Sequence, residues 1–338
     1  MTSTTTPDTS RPDGILRLAN AFCDAKALLT AVELGLFTTL SAGPATEEEI
    51  RKALGLHGRG LSDWLDLLVE LDMLERADGR YANTTGADRY LVRGQESYIG
   101  GFIERSNRNL YPAWGRLSEA LRTGESQSGS DFGAVVENPR ILGQFINSMD
   151  AFIRVLGPQF IEAYDGWADY GSVLDIGGCR GALTAQIVKA HPHLTGKVFD
   201  LPQMEPFFQE KVAEQGLDGR MSFHGGSFFT DPLPSADIVV IGHVLHDWDR
   251  EQRGFLVRKA YESVNPGGVL LVYDRMLDRA SSRQVNLVVS LDMLLVTEGG
   301  SEYTLDELRG HAREAGFASV TDQPLGEDDT LLIARKAS

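Results

Sequence analysis

Val173-Leu174-Asp175-Ile176-Gly177-Gly178-Cys179-Arg180-Gly181 reads as the end of a buried strand turning tightly, through glycine, toward a ligand. Outward from this stretch, from residue 171 onward, apolar runs alternate with helical patterns. Strands are expected at 172–176, 197–201, 221–224, 237–241, 269–273 and 330–334, with helical periodicity at 183–190 and 251–264 between them. That alternation predicts an α/β fold with a doubly wound, mostly parallel sheet, whose ligands bind beyond the carboxyl ends of the strands.

The loop is Asp175-x-Gly177-Gly178-x-x-Gly181. Asp175 occupies the first glycine position of a dinucleotide-binding G-x-G-x-x-G, and no Lys-Ser/Thr follows to make a phosphate loop. A carboxylate at the mouth of the loop repels a pyrophosphate, whereas it suits a ligand carrying an amino group and a sulfonium. Arg180 points the other way, since a cation there pairs with a phosphate. Asp200, in Phe199-Asp200-Leu201-Pro202, ends the second strand and suits a ribose diol, in either a dinucleotide or an S-adenosylmethionine (SAM) site. About seventy residues after the loop comes Leu245-His246-Asp247-Trp248, where a histidine following a buried strand is placed to accept a proton.

The N-terminal part has a different texture. Residues 1–13, rich in Thr, Ser, Asp and Pro, are expected to be a disordered leader without the apolar core of a secretory signal. Leu16, Ala19, Phe22, Leu28, Val32, Leu36 and Leu40 then recur at helical spacing. Thr46-Glu47-Glu48-Glu49 is a capping-box pattern opening a helix that ends near Gly55. A second helix carries Leu61, Trp64, Leu65, Leu68 and Leu71 on one face, and residues 74–81 read as strand, Asp-Gly turn, strand. This is a winged-helix pattern over residues 14–97, but its second helix bears Asp63, Asp66, Glu70 and Asp72 where a DNA reader carries Arg and Lys. Dimerisation or scaffolding is the expected role. Residues 98–338 form the second domain, of which 98–170 are mostly helical, with a polar loop at 123–130.

Composition bounds the rest. A chain of 338 residues accommodates two domains, and 42% hydrophobic with 24% charged residues is ordinary for a soluble protein. The formal net charge of −16 argues against nucleic acid or an anionic membrane as partner. Two cysteines, Cys23 and Cys179, make no disulfide framework, and the simplest inference is a reducing cytoplasm. No Cys/His group has zinc-site spacing and His243 with His246 lacks a third ligand, so no metal is expected. The apolar segment 285–296 is interrupted by Asp292 and is too short to cross a bilayer.

With these motifs in order, joined by Asn265-Pro266-Gly267-Gly268 and Gly299-Gly300-Ser301-Glu302-Tyr303-Thr304, nearly the whole chain resembles the small-molecule O-methyltransferases of the plant caffeate and bacterial natural-product type. The resemblance implies a seven-stranded Rossmann-like sheet, SAM as cofactor, and a homodimer in which the N-terminal domain helps close the partner's substrate pocket. It implies a catalytic His246 flanked by the acids Asp274 and Glu302. Phe145 and Met149, at i and i+4 on a helix, and Met293 become substrate-pocket candidates. The implied cofactor-binding set is Asp175, Gly177, Gly178, Asp200, Leu201, Ser227 and Phe228. The chain departs from the family at Cys179 and Arg180, which replace small residues, at Ser227, which replaces an adenosine-binding Asp, and at Gly242, where plant relatives carry Lys. The expected reaction is methyl transfer to a phenolic or enolic hydroxyl of a small aromatic natural product. The alternatives are carbon or nitrogen methylation on the same fold and, more distantly, a nicotinamide-dependent oxidoreductase or a ligand-sensing regulator.

Overall fold

The computed structural model describes residues 8–95, 97–128, 132–278, 280 and 282–338. The expected leader lies largely outside these residues, and the first helix begins inside its expected range, at Pro12. The chain divides into two compact units, Met1–Arg108 and Asn109–Ser338, a later break than the 97/98 boundary read from the sequence.

In the first unit the helix Pro12–Leu34 stops at Gly35, whose φ of 77° is left-handed, and the chain restarts as the short helix Leu36–Leu40. Strand β1, Ala45–Thr46, leads into the helix Glu47–Leu54. Here Thr46 and Glu49 exchange the two hydrogen bonds of a capping box, satisfying backbone donors that the first helical turn leaves open. After the helix Leu61–Glu70 come β2, Leu74–Ala77, and β3, Arg80–Asn83, joined through Asp78-Gly79, both at positive φ. The three strands form an antiparallel sheet in the order β1-β3-β2. Leu36, Phe37, Ile50, Leu65, Leu68 and Leu74 make the core. Asp66 of the acidic helix is used internally, accepting from Tyr81 Oη at 2.7 Å and from Arg76 at 2.9 Å. The first helix leaves Ile15, Leu16, Leu18 and Phe22 each more than half exposed.

The second unit is built on seven strands. They are β4, Ser172–Ile176; β5, Thr195–Asp200; β6, Met221–Gly225; β7, Ala236–Gly242; β8, Val264–Asp274; β9, Ser319–Leu325; and β10, Asp329–Arg335. Their order is β6-β5-β4-β7-β8-β10-β9, with only β10 antiparallel to its neighbours. Alternate residues point to opposite faces. Val173, Val198, Ile238 and Leu271 therefore meet the helices Ala182–Ala190, Glu205–Gln215 and Pro139–Ala163. Leu174, Phe199, Val239 and Leu270 meet Arg250–Ser263 and Leu305–Ala315 on the other face. The sequence pattern locates six of the strands and not β9, which lies at the sheet edge. From β4 the chain winds outward to β5 and β6, then returns to β7 on β4's other side. That reversal lies at the carboxyl ends of β4 and β7, the place where ligands bind in sheets of this kind.

Candidate active site

The Gly-rich loop emerges from β4 at the reversal point. Gly177 has φ 73° and its N–H reaches Phe199 O at 2.8 Å, pinning the turn to β5. A Cβ on Gly177 would stand 2.6 Å from Val244 Cγ2, and one on Gly178 would stand 2.6 Å from Asp175 Cγ, so neither position accepts a side chain. Asp175 is buried beneath this turn and accepts from Thr184 Oγ1 at 2.9 Å; burial raises its carboxyl to about 7. Asp200 accepts from the backbone N–H groups of Cys179 and Leu201, each at 2.7 Å. Burial raises it to about 6 despite those two donors. Cys179, at φ 54°, packs with Phe145 and Leu201 in one apolar cluster, which joins the helix Pro139–Ala163 to the loop.

Arg180 meets no open anion site. Its guanidinium pairs with Asp150, which also lies 3.3 Å from Lys211, and all three side chains are largely buried. Asp150 follows Met149, so one carboxylate ties the helix of Phe145 and Met149 to the loop and to the helix Glu205–Gln215. Ser227 accepts from Phe229 N at 3.3 Å and closes the turn after β6, while Gly226 N donates to Asp200 O at 2.9 Å. Phe228 and Phe229 pack edge-on to Trp248, at 5.7 and 4.6 Å. Gly242 also has a local reason: a Cβ there would fall 1.9 Å from the Tyr273 ring, which fills that space.

Beyond β7, the turn Leu245–Asp247 carries His246, which is 6% exposed. Its Nδ1 is 2.8 Å from Glu302 Oε1 and 3.4 Å from Asp274 Oδ1, and Asp247 Oδ1 lies 3.7 Å from Nε2. The three residues singled out as a catalytic set thus come together from the β7 turn, the end of β8 and the segment before Leu305–Ala315. Tyr303 donates its hydroxyl to Asp274 Oδ2 at 2.6 Å, a partner that the sequence reading did not single out. Burial opposes a charge on His246, but Asp274, Glu302 and Asp247 together outweigh it and lift the ring to about 10. Asp274 is itself raised, first by burial. His243, His246 and Asp274 present ligand-type atoms within 4.8 Å of one another, so Asp274 is the third group that the sequence reading did not find beside the two histidines.

Met293 is buried on the helix Gln284–Val296, which packs against the His246 turn. Phe145 and Met149 are partly buried on their helix. Phe152 continues their stripe at i+7 and meets the His243 ring edge-on at 4.7 Å. Its spacing was the available signal, and the sequence reading stopped at Met149. Among the described residues no helix is long and apolar enough to cross a membrane.

Residues 114–318 match the family model of the O-methyltransferase domain, and residues 16–93 match that of the O-methyltransferase dimerisation domain. The chain is 43% identical to the tetracenomycin polyketide synthesis 8-O-methyl transferase TcmO of Streptomyces glaucescens, over 96% of this chain and 97% of that one. It is 40% identical to the N,N-dimethyltransferase OxyT of Streptomyces rimosus, over 99% and 100%. Among solved structures, human N-acetylserotonin methyltransferase in complex with SAM superposes with a TM-score of 0.89 at 27% identity, covering all of both chains. The chain belongs to the O-methyltransferase family.

Proposed function

We propose that this methyltransferase acts on a phenolic or enolic hydroxyl of a small aromatic natural product, with His246 as the general base. S-adenosylmethionine is the methyl donor, and the loop fits it. Gly177 and Gly178 leave backbone without side chains at the carboxyl end of β4, and two carboxyls with raised proton affinity, the buried Asp175 and the partly buried Asp200, gain from a cationic ligand that draws them into the ionised form. In this reading Asp175, Gly177 and Gly178 hold the methionine part, Asp200 and Leu201 the ribose, and Ser227 and Phe228 the adenosine side. Phe145, Met149 and Met293 line the acceptor pocket.

The cofactor supplies an electrophilic methyl carbon on a sulfonium. The chain's task is to align the acceptor oxygen and take its proton. The observation that carries the reading is the buried His246 ring, held through Nδ1 by Glu302 at 2.8 Å with Asp274 at 3.4 Å. A ring donating Nδ1–H to a carboxylate presents the Nε2 lone pair on its far edge. A phenol has an ordinary pKa of about 10, and the three carboxyls around His246 raise its proton affinity toward that value, which lowers the cost of passing the proton to the ring. The same lift means that the accepting form gains population as pH rises.

Further parts of the reading rest on the family. The helices and antiparallel strands of residues 45–83 are read as a winged helix used for homodimerisation rather than DNA binding, with the partner's N-terminal domain helping to close the substrate pocket. The setting is read as cytoplasmic secondary metabolism. Carbon or nitrogen methylation on the same fold is the second reading, and nitrogen methylation is the reaction named for OxyT. Methyl-labelled SAM offered with phenols, hydroxynaphthoates and aromatic amines, followed by NMR of the product, tests it. A labelled methoxy group is the expected result, and label on nitrogen or carbon alone would replace it with the second reading.

A further inference from the structure

His243 precedes His246 by three residues and has no part in the steps above, yet its geometry is unusual. It is one of four non-glycine residues at positive φ among the described residues, at 50°, a region that bulky L-residues enter rarely. Its backbone N–H donates to Tyr273 O at 3.1 Å. The ring then sits between two buried carboxyls, with Nδ1 3.6 Å from Asp274 Oδ1 and Nε2 3.0 Å from Asp329 Oδ1. Neither His243 Nε2 nor Asp329 Oδ1 completes an aligned hydrogen bond, and Asp274 Oδ1 has none either. Asp274 Oδ1 is therefore shared by two imidazoles, since His246 Nδ1 is 3.4 Å away. The two rings are centred 5.2 Å apart.

Proton counting gives this arrangement a meaning. A neutral imidazole has one N–H and one lone pair. Between two carboxylates it would turn that lone pair on one of them. The bridge from Asp274 through His243 to Asp329 closes without repulsion only when it holds one further proton, on the ring or on a carboxyl. Without that bridge, three buried carboxyls, Asp274, Glu302 and Asp329, would share a single imidazole.

We propose that His243 is a positioning residue for methyl transfer: by bridging Asp274 and Asp329 it holds Asp274 against His246 and sets how tightly His246 keeps its proton. The titratable groups facing the two rings, among the described residues, are Asp274, Glu302, Asp329, Asp247 and Tyr273, with Tyr303 bonded to Asp274. Removing the bridge leaves His246 in a more negative surrounding, so it should bind its proton more tightly. Neutralising Asp329 should do the reverse.

The inference rests on His246 being the proton acceptor, but its test needs no methyl acceptor and gives an answer even if no hydroxyl is methylated. Full-length protein carrying 13C at histidine Cε1 and saturated with S-adenosylhomocysteine is titrated by NMR, with the His246 signal assigned by its loss in His246→Asn. Even at the dielectric of water, a unit charge at this separation moves a neighbour's titration by roughly half a pH unit. His243→Asn is expected to raise the His246 midpoint by at least that much, and Asp329→Asn to lower it by a similar amount. A merely structural role would change melting temperature or cofactor affinity without moving the midpoints in opposite directions. Either variant that binds S-adenosylhomocysteine suffices, and an unmoved midpoint in it overturns the proposal.

Discussion

Asp175 and Asp200 show how one residue type is tuned by its place in the chain. Both lie at the carboxyl ends of parallel strands, Asp175 buried and Asp200 partly buried, and both keep a proton well above the ordinary carboxyl range, to about 7 and about 6. A cationic ligand binds best when they are ionised. Affinity for SAM is therefore expected to fall as pH drops from 8 to 5, by up to about tenfold per pH unit for each carboxyl that must first lose its proton. Asp175→Asn should weaken binding at pH 8 and flatten the dependence, as read by calorimetry. An unchanged slope would mean that neither carboxyl answers to the cofactor's charge. Stability of the free protein runs the opposite way. A carboxyl whose folded pKa is raised contributes stability that is fully present below about 4 and lost as pH rises through its folded value.

At the scale of elements, the Gly-rich loop and the helix Pro139–Ala163 are joined by charge as well as by packing. Asp150 on Pro139–Ala163 holds both Arg180 of the loop and Lys211 of Glu205–Gln215. Asp150→Asn leaves two largely buried cations without their counter-charge and is expected to cost about 3–5 kcal/mol, measured by urea unfolding. A loss below about 1 kcal/mol would show the three groups to be solvated instead. This tie was not legible in the sequence, because Asp150 and Arg180 meet only through the packing of a helix on a loop. Local chemistry was legible. Thr46 with Glu49 predicted a cap, Asp78-Gly79 a turn, and the strand ending at Ile176 a glycine bend. Strand β9 escaped because Ser319–Leu325 is an edge strand with mixed burial and a proline, which only an edge tolerates easily. The candidate site was partly readable. The residues themselves marked His246 as a proton acceptor and the resemblance added Asp274 and Glu302, whereas Tyr303, Asp329 and Thr184 join these groups through sheet register and helix placement, which periodicity does not encode.

Across the whole molecule, a unit matching a dimerisation domain precedes one matching a methyltransferase domain, and the first displays an unsatisfied apolar surface. Ile15, Leu16, Leu18 and Phe22 on the helix Pro12–Leu34 are more exposed than a soluble monomer usually allows in one cluster. In light scattering the unaltered chain is expected to run as a dimer and the double variant Leu16→Asp, Phe22→Asp as a monomer at the same concentration; a dimer in both would move the interface elsewhere. The central claim, that His246 takes the acceptor's proton, is tested most directly by comparing single-turnover methyl transfer in the unaltered chain and His246→Ala, with the same hydroxylated acceptor and saturating SAM. A loss of about 10²–10⁴-fold is expected at neutral pH, with SAM affinity unchanged within a few-fold and the unaltered rate rising toward alkaline pH. A rate in His246→Ala within a few-fold of the unaltered chain, rising with pH in the same way, would contradict it.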